Sequence, residues 1–491
     1  MSSRKFNEYK GLDLPQLGRE VLEVWDRENT FGRSITEREG APAFIFYEGP
    51  PSANGLPGIH HVLSRTIKDT ICRYKTQQGY LVRRKAGWDT HGLPVELGVE
   101  KKLGITKEDI GHKISIEEYN RTCREAVMEF TGVWEELTRK MGYWVDMKHP
   151  YITYENKYIE TLWWMLKQLF DKGLLYKGYT IQPYSPAAGT GLSNHELNQP
   201  GCYRDVKDTT CTAQFEIIRD ERSEFLFDDA QGTLYFLAWT TTPWTLPSNT
   251  ALAVGDNIEY VRVKCLNPYT QQPQTVILAK ELLPAYFTPK MEGTYSIGER
   301  IYKGSELVGI RYRQLIDWVK PMGDAFRVIS GDYVTTVDGT GIVHIAPTFG
   351  ADDDRVGKQA GIVPMYVVDR AGKNQPMVDR RGRLFRIEDM DPDFVAKYVD
   401  AERYREWAGR FVKNAYDPSL GPDDPTLDID IAVMLKGEGK AFKIEKHTHS
   451  YPHCWRTDKP VLYYPLDSWF IRTTALRERL MELNDTIDWK P

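Results

Sequence analysis

Residues 47–61, YEGPPSANGLPGIHH, constrain the fold more than any other stretch of the chain. The apolar run Ala43, Phe44, Ile45 and Phe46 before them reads as a strand. The spacing of Leu63, Ile67, Ile71 and Tyr74 after them reads as one face of a helix, so the segment is a strand-to-helix turn. Gly49, Gly55 and Gly58 let the backbone approach a ligand closely, and a helix starting near Ile59 offers unpaired N–H groups and a positive dipole end. Such a turn is an anion site, to which His60 and His61 add imidazoles. The helix then meets the C-cap candidate Gly79, an extended run (Tyr80, Leu81, Val82) and a second turn at 87–94. Strand, helix, strand predicts a parallel βαβ unit with both turns at one sheet edge, where ligands of such sheets bind.

On these residues the first turn resembles the HxGH-containing signature of class I aminoacyl-tRNA synthetases. The second, GWDTHGLPVE at 87–96, is similar to the amino-acid-binding motif of their isoleucyl branch, where valyl relatives carry a different sequence. One departure stands out. The family has His, any residue, Gly, His, whereas this chain has Gly58, Ile59, His60, His61, with the first His and the Gly exchanged and His61 in place. The resemblance implies ATP with Mg2+ as a substrate, bound by Pro50, Asn54, Gly55, Gly58, His60 and His61, the two imidazoles being catalytic. It implies L-isoleucine held by Gly49, Pro50 and Asp89, with Asp89 on the ammonium group. A His pair alone reads equally well as exposed imidazoles at a helix start; the flanking residues favour ATP.

The 491 residues suggest about three domains. With 64 basic against 69 acidic side chains and a net charge of −5, the chain has no global electrostatic footprint for nucleic acid, so any RNA contact is local. The opening MSSRKFNEYKGL lacks the apolar core of a signal peptide, and the most apolar helical stretch, 158–170, is interrupted by Glu160 and Lys167. A cytoplasmic monomer with no membrane partner is expected. The six cysteines form no C-x-x-C pair. Where some relatives carry two such pairs for zinc, this chain reads Ser-Pro-Ala-Ala at 185–188 and Cys-Trp-Arg-Thr at 454–457; one thiol of four predicts no zinc.

Helices are predicted over 14–25, as a packing arm, 116–141 and 154–172, the last with Ile159, Leu162, Trp163, Leu166 and Phe170 spaced as a core stripe. From about residue 200 the pattern changes to strands at 210–218, 233–240, 260–264 and 275–279. The segments 447–456 (HTHSYPHCWR), 461–464 and 468–470 resemble the synthetase's return into its nucleotide fold. The expected fold class is α/β: a Rossmann-like class I synthetase nucleotide fold, incomplete, interrupted by a β-rich editing-domain insertion. Its domains are a helical arm (1–43), the first half of the catalytic domain (44–199), the insertion with connecting strands (200–440) and the return (441–491). The clearest loop is 421–425, and KGEGK at 436–440 reads as a turn.

Two segments of the insertion carry chemistry. One holds Thr240, Thr241, Thr242, Thr245 and Asn249; the other, GTGIVHIAPTFGADDD at 339–354, holds His344 and Asp353. A threonine-rich strand is ordinarily β propensity, and an acidic triplet ordinarily a solvated face. Together they match the editing domain of isoleucyl, valyl and leucyl synthetases. The match implies that Asp353 holds the α-ammonium of a wrongly attached amino acid while the threonines, Asn249 and His344 surround the ester and terminal ribose. An ester is already activated, so positioned water and oxyanion donors suffice without a metal or an assigned base. One methylene is worth only about 1–3 kcal/mol in a hydrophobic pocket, isoleucine against valine in this family being the standard illustration, so a second sieve is needed.

The whole resemblance implies ATP-dependent activation of isoleucine, transfer to tRNA(Ile) and hydrolysis of Val-tRNA(Ile). The KMSKS-like loop and helical anticodon region of the family have no counterpart here, which reads as an N-terminal part. Three alternatives remain: a valyl synthetase, against which the 87–96 motif speaks; a freestanding aminoacyl-tRNA deacylase, against which the ATP turn speaks; and a non-catalytic RNA-binding relative, against which Asp89, His61 and Asp353 together speak.

Overall fold

A computed structural model describes residues 11–487 and 489, apart from 289, 290, 292, 422 and 423 and the side chain of Glu108. The first ten residues and the tip of the 421–425 loop lie outside the described residues. The chain forms two compact units, one of residues 177–470 and one of the remainder.

In the first unit the helix Ile59–Gln77 starts at Gly58 in an extended conformation (φ −103°, ψ 170°). It leads to the parallel pair Lys85–Trp88 and Asp146–Ile152, with Lys85 opposite Asp146 and Trp88 opposite Ile152. The strand expected at 43–46 is shorter than its sequence suggests. It reduces to one parallel bridge, Ala43 to Leu81, closed by Phe44 N–H to Leu81 O and Leu81 N–H to Pro42 O, both 3.0 Å. Pro50 and Pro51, lacking N–H groups, cannot extend that ladder into the turn.

The single helix predicted over 116–141 is two, Ile116–Val127 and Thr131–Lys140. The break has a cause: Phe130 N–H leaves the helical pattern to bond Ala53 O in the glycine-rich turn (3.0 Å). The helix Leu14–Glu28 packs as an arm, with Trp25 edge-on to Trp144 at 5.3 Å and the Arg73 guanidinium against both rings, at 4.7 and 3.9 Å.

The expected core stripe of the third helix, Asn156–Asp171, is not buried: no residue of that helix is, and Trp163 is 68% exposed. Leu63, Ile67, Ile71 and Tyr74 likewise face solvent, and the helix Ile59–Gln77 buries Arg65, Cys72 and Thr76 instead. Periodicity identifies which side chains share a face; it does not supply the surface that covers them.

The second unit is built on a six-stranded sheet in the order Ser296–Lys303, Glu259–Leu266, Pro273–Ala279, Thr233–Thr240, Tyr203–Glu216 and Ala441–Pro452. Its pairs are antiparallel except that of Thr233–Thr240 with Pro273–Ala279. A three-stranded sheet holds Ala251–Val254 between Arg327–Ser330 and Ile342–Ile345; its central strand is buried at every position. Phe215, Phe236, Tyr260, Trp318 and Leu435 anchor the core.

The compact units divide at 176/177 and 470/471 rather than at 199/200 and 440/441. The sheet explains the difference, because Ala441–Pro452 pairs with Tyr203–Glu216 along its length, Pro452 ending opposite Tyr203. A strand read from sequence as a return segment is a member of the inserted sheet.

Candidate active site and a second pocket

The glycine-rich turn is held from beneath by aromatic side chains. Trp134, 2% exposed, donates its indole N–H to Gly55 O (2.9 Å) and packs with Ala53 and Trp88. Glu48, at the start of the turn, accepts from Lys68 Nζ (2.8 Å) and from the Tyr143 hydroxyl, while Tyr151 donates to its carbonyl (2.9 Å). Gly87 must be glycine, since a Cβ there would lie 2.3 Å from the Tyr151 ring. Asp89 N–H bonds Pro51 O (3.0 Å), joining the two turns read from the sequence, and Thr153 Oγ1 fixes the second through Thr90 N–H (3.0 Å) and His91 Nδ1 (3.1 Å). Gly49 is exposed, and Pro50, Asn54, Gly55, Gly58 and Asp89 are partly so.

The exchanged signature has a steric explanation. The His60 ring lies over Gly58, where a Cβ would come within 2.8 Å of His60 Cε1, so His60 takes the space a side chain at 58 would fill. His61 accepts from Gly58 N–H through Nδ1 (2.9 Å), capping its own helix. That bond leaves Nε2 as the protonated nitrogen of the neutral ring. Its ring meets Trp134 edge-on at 4.8 Å, and burial, then the neighbouring His60 and Arg65 charges, hold its pKa below the usual imidazole value.

In the second unit a cavity of about 300 Å³ is lined by Trp239, Thr240, Thr241, Tyr333, His344 and Asp353, among others. Its floor is the GTG turn. Gly339 and Gly341 both sit at φ +72°, and a Cβ on Gly341 would lie 2.4 Å from that of Ala279. The Thr240 hydroxyl accepts from Thr242 N–H (3.1 Å), and Thr242 O accepts both Thr245 N–H (2.9 Å) and its hydroxyl (2.8 Å). Thr245 Oγ1 then stands 3.0 Å from His344 Nε2. Burial pushes His344 down to about 4, so the ring is neutral, and its Nδ1 is buried without a hydrogen-bond partner among the described residues.

The acidic triplet divides by partner. Asp352 pairs with Arg355 (3.2 Å) and Asp354 with Lys358 (2.6 Å), whereas Asp353, among the described residues, accepts only from Ala346 N–H (2.9 Å) and the Tyr333 hydroxyl (3.2 Å). Burial raises Asp353 to about 6, against the pull of those two donors. It is therefore a carboxylate at neutral pH with no cation partner among the described residues, facing a cavity.

Of the seven residues read from the two segments, Thr240, Thr241, His344 and Asp353 line the cavity, whereas Thr242 and Thr245 are not in its lining, nor is Asn249. Its amide donates to Ala251 O (2.8 Å) and accepts from the Tyr312 hydroxyl (2.8 Å), so it braces the strand below the cavity. Sequence reasoning missed Tyr333, Trp239 and Asp428. Buried Asp428 accepts from Trp244 N–H (2.9 Å) and lies 3.6 Å from Lys413 Nζ, which also bonds Asp208 (3.0 Å), itself 3.2 Å from His449 Nε2. These partners come from distant stretches of chain, and only the HTHSYPHCWR motif marked any of them beforehand. Among the described residues no group of three or more His, Cys, Asp or Glu is placed to hold a metal, and no helix is long and apolar enough to cross a membrane.

The first unit thus holds a glycine-rich turn tied to an acid-bearing second turn, and the second unit holds a pocket built on its β-rich sheets. The family model of tRNA synthetases class I (I, L, M and V) matches residues 20–491, and the chain belongs to that family. Its curated relatives include the isoleucine–tRNA ligase of Bacteroides fragilis, 64% identical over 100% of this chain and 44% of the relative. That of Porphyromonas gingivalis is 63% identical over the same shares, and that of Clostridium tetani is 43% identical over 98% of this chain and 41% of the relative. The chain thus spans less than half the length of these relatives. The α/β fold class and the isoleucyl resemblance stand.

Proposed function

We propose that this chain is the amino-terminal part of an isoleucine–tRNA ligase that activates L-isoleucine with MgATP, charges tRNA(Ile), and removes misattached valine in its inserted unit. The reading carries with it a cytoplasmic monomer. In activation, Asp89 takes the isoleucine ammonium. Gly49 and Pro50 approach its backbone, Asn54, Gly55 and Gly58 leave room for ATP, and His60 and His61 donate to the phosphates as negative charge develops. The overlap of His60 with the volume above Gly58 supports the exchanged signature as working.

In the hydrolytic pocket the ammonium of the attached valine is received by Asp353, and the threonine hydroxyls and His344 line the ester. Water adds to the ester carbonyl carbon, the bond to the ribose oxygen breaks, and that oxygen leaves with a proton as the tRNA hydroxyl. The pocket supplies position and hydrogen-bond donors, and burial keeps His344 from adding a positive charge beside the incoming ammonium. The observation that carries the reading is the Asp353 carboxylate, partly buried and, among the described residues, without a cation, on the wall of a cavity of about 300 Å³.

The test is deacylation of Val-tRNA(Ile) and Ile-tRNA(Ile) by this chain at high protein concentration, beside Asp353→Ala. Preferential hydrolysis of the valyl ester, lost in the variant, is expected. Equal rates on both esters, or activity untouched by the substitution, would remove the editing assignment.

A further inference from the structure

Tyr333 belongs to no motif, yet its hydroxyl supplies one of the two hydrogen bonds that Asp353 receives. It stands in the loop between Arg327–Ser330 and Ile342–Ile345 and lines the same cavity as Asp353. The phenol donates to Oδ1 at 3.2 Å while the Ala346 amide donates to Oδ2 at 2.9 Å, so each carboxylate oxygen has one fixed donor. A carboxylate oxygen accepts more than one hydrogen bond, which leaves each with capacity for a ligand.

The charged groups around this carboxylate are otherwise engaged. On its own helix, Asp352 is bonded to Arg355 and Asp354 to Lys358; on the loop, Asp332 is bonded to the same Arg355 at 2.7 Å. His344 on the neighbouring strand is neutral, and Asp338 on the cavity wall adds negative charge. Two neutral donors, one of them Tyr333, therefore do the work that a cation does for the flanking aspartates.

We propose that Tyr333 is a positioning residue of the hydrolytic reaction, its hydroxyl holding Asp353 with its free lone pairs toward the cavity, where the ammonium of the aminoacyl group is received. This rests on the editing function proposed above. Burial and the Asp353 charge push the Tyr333 phenol above its ordinary value, so it remains a protonated donor. A donor of this kind favours the ionised carboxylate, whereas burial has already raised Asp353 to about 6. Without the hydroxyl the carboxyl rises further, and near neutral pH a larger fraction is protonated and unable to take an ammonium.

The experiment is Tyr333→Phe in this chain, with Val-tRNA(Ile) deacylation followed from about pH 5.5 to about pH 8.5, on either side of the Asp353 transition. Expected is a KM raised roughly tenfold near pH 7, kcat within about twofold of the parent, and convergence of the two KM values at the alkaline end. A merely structural loss would instead displace both constants at every pH. A KM ratio that is flat across pH, or no change in KM, overturns the proposal. A second measurement does not depend on catalysis: the carboxyl carbon of Asp353, observed by NMR in aspartate-labelled free protein, should titrate at higher pH in Tyr333→Phe, and an unmoved midpoint overturns the proposal. The Asp353→Ala variant separates the two levels. If it hydrolyses like the parent, the pocket assignment fails; if it is inactive while Tyr333→Phe shows no pH-dependent KM, only the role of Tyr333 fails.

Discussion

The Asp353 carboxylate is held at a cost to stability. The carboxyl, ordinarily near 3.8, is raised to about 6 in the folded protein, chiefly by burial. Folding therefore favours the protonated form. The contribution of this group to stability is fully present below 3.8, declines as pH rises toward 6, and is absent above it, a cost on the order of 3 kcal/mol. Asp353→Asn removes the charge and keeps the shape but only one of the two accepting oxygens, so its stability relative to the parent, read by urea denaturation, is expected to move in the variant's favour as pH rises from about 4 to above 6, while hydrolysis of Val-tRNA is lost. At the other site, His61 is half-buried, caps its helix and packs on Trp134, whereas His60 is exposed over Gly58. In a polypeptide of the relatives' full length, His61→Ala should slow isoleucine-dependent pyrophosphate exchange more than His60→Ala, and both by more than the 0.3–1 kcal/mol or so that a helix end supplies alone. Equal, negligible effects would sever both imidazoles from the reaction. Asp353 and His61 can be proposed from the sequence because each lies in a short motif whose letters stand together. Tyr333 cannot, because its partner is twenty residues away and its neighbours in sequence carry no pattern.

The threonine-bearing turn is positioned by an element it does not adjoin in sequence. Trp244 N–H ends on Asp428 at the start of the helix Leu427–Gly437, and Asp428 with Asp208 brackets the buried ammonium of Lys413. Asp428→Ala removes the acceptor and leaves Lys413 with one carboxylate, so a loss of roughly 3–5 kcal/mol is expected in chemical denaturation. Val-tRNA hydrolysis should fall with it under conditions where the variant remains folded, because Thr245, one residue on, is what meets His344. A stability unchanged from the parent would show that the network does not hold the turn. At this scale the sequence was read well where a local rule decides: the strand at 233–240 was placed to the residue, and those at 260–264 and 275–279 lie within the observed ones. It was read less well where a distant bond intervenes, as when Phe130 turns to Ala53 and divides a helix, or where an apolar stripe such as that of Asn156–Asp171 meets solvent.

Across the molecule, the limits of the inserted unit follow the sheet rather than the motifs. Excision at 200–440 would remove Ala441–Pro452 and lay bare the edge of Tyr203–Glu216, which is expected to yield aggregating protein. Residues 177–470 retain every strand of the six-stranded sheet and should unfold in one cooperative transition by circular dichroism. Poor solubility of the longer segment, or a well-behaved shorter one, would contradict this account of the boundary. No composition shift marks residue 441, because a strand that closes a sheet and a strand that leaves it have the same alternation. The pairing of Tyr203 with Pro452 has an engineering consequence. Chain entry and exit at that end of the sheet are separated by one interstrand spacing, about 5 Å, the gap that an ordinary hairpin loop already spans. A segment from Tyr203 to Pro452, spliced into an exposed loop tip of an unrelated carrier, should therefore ask the host to part its backbone no wider than a tight turn does.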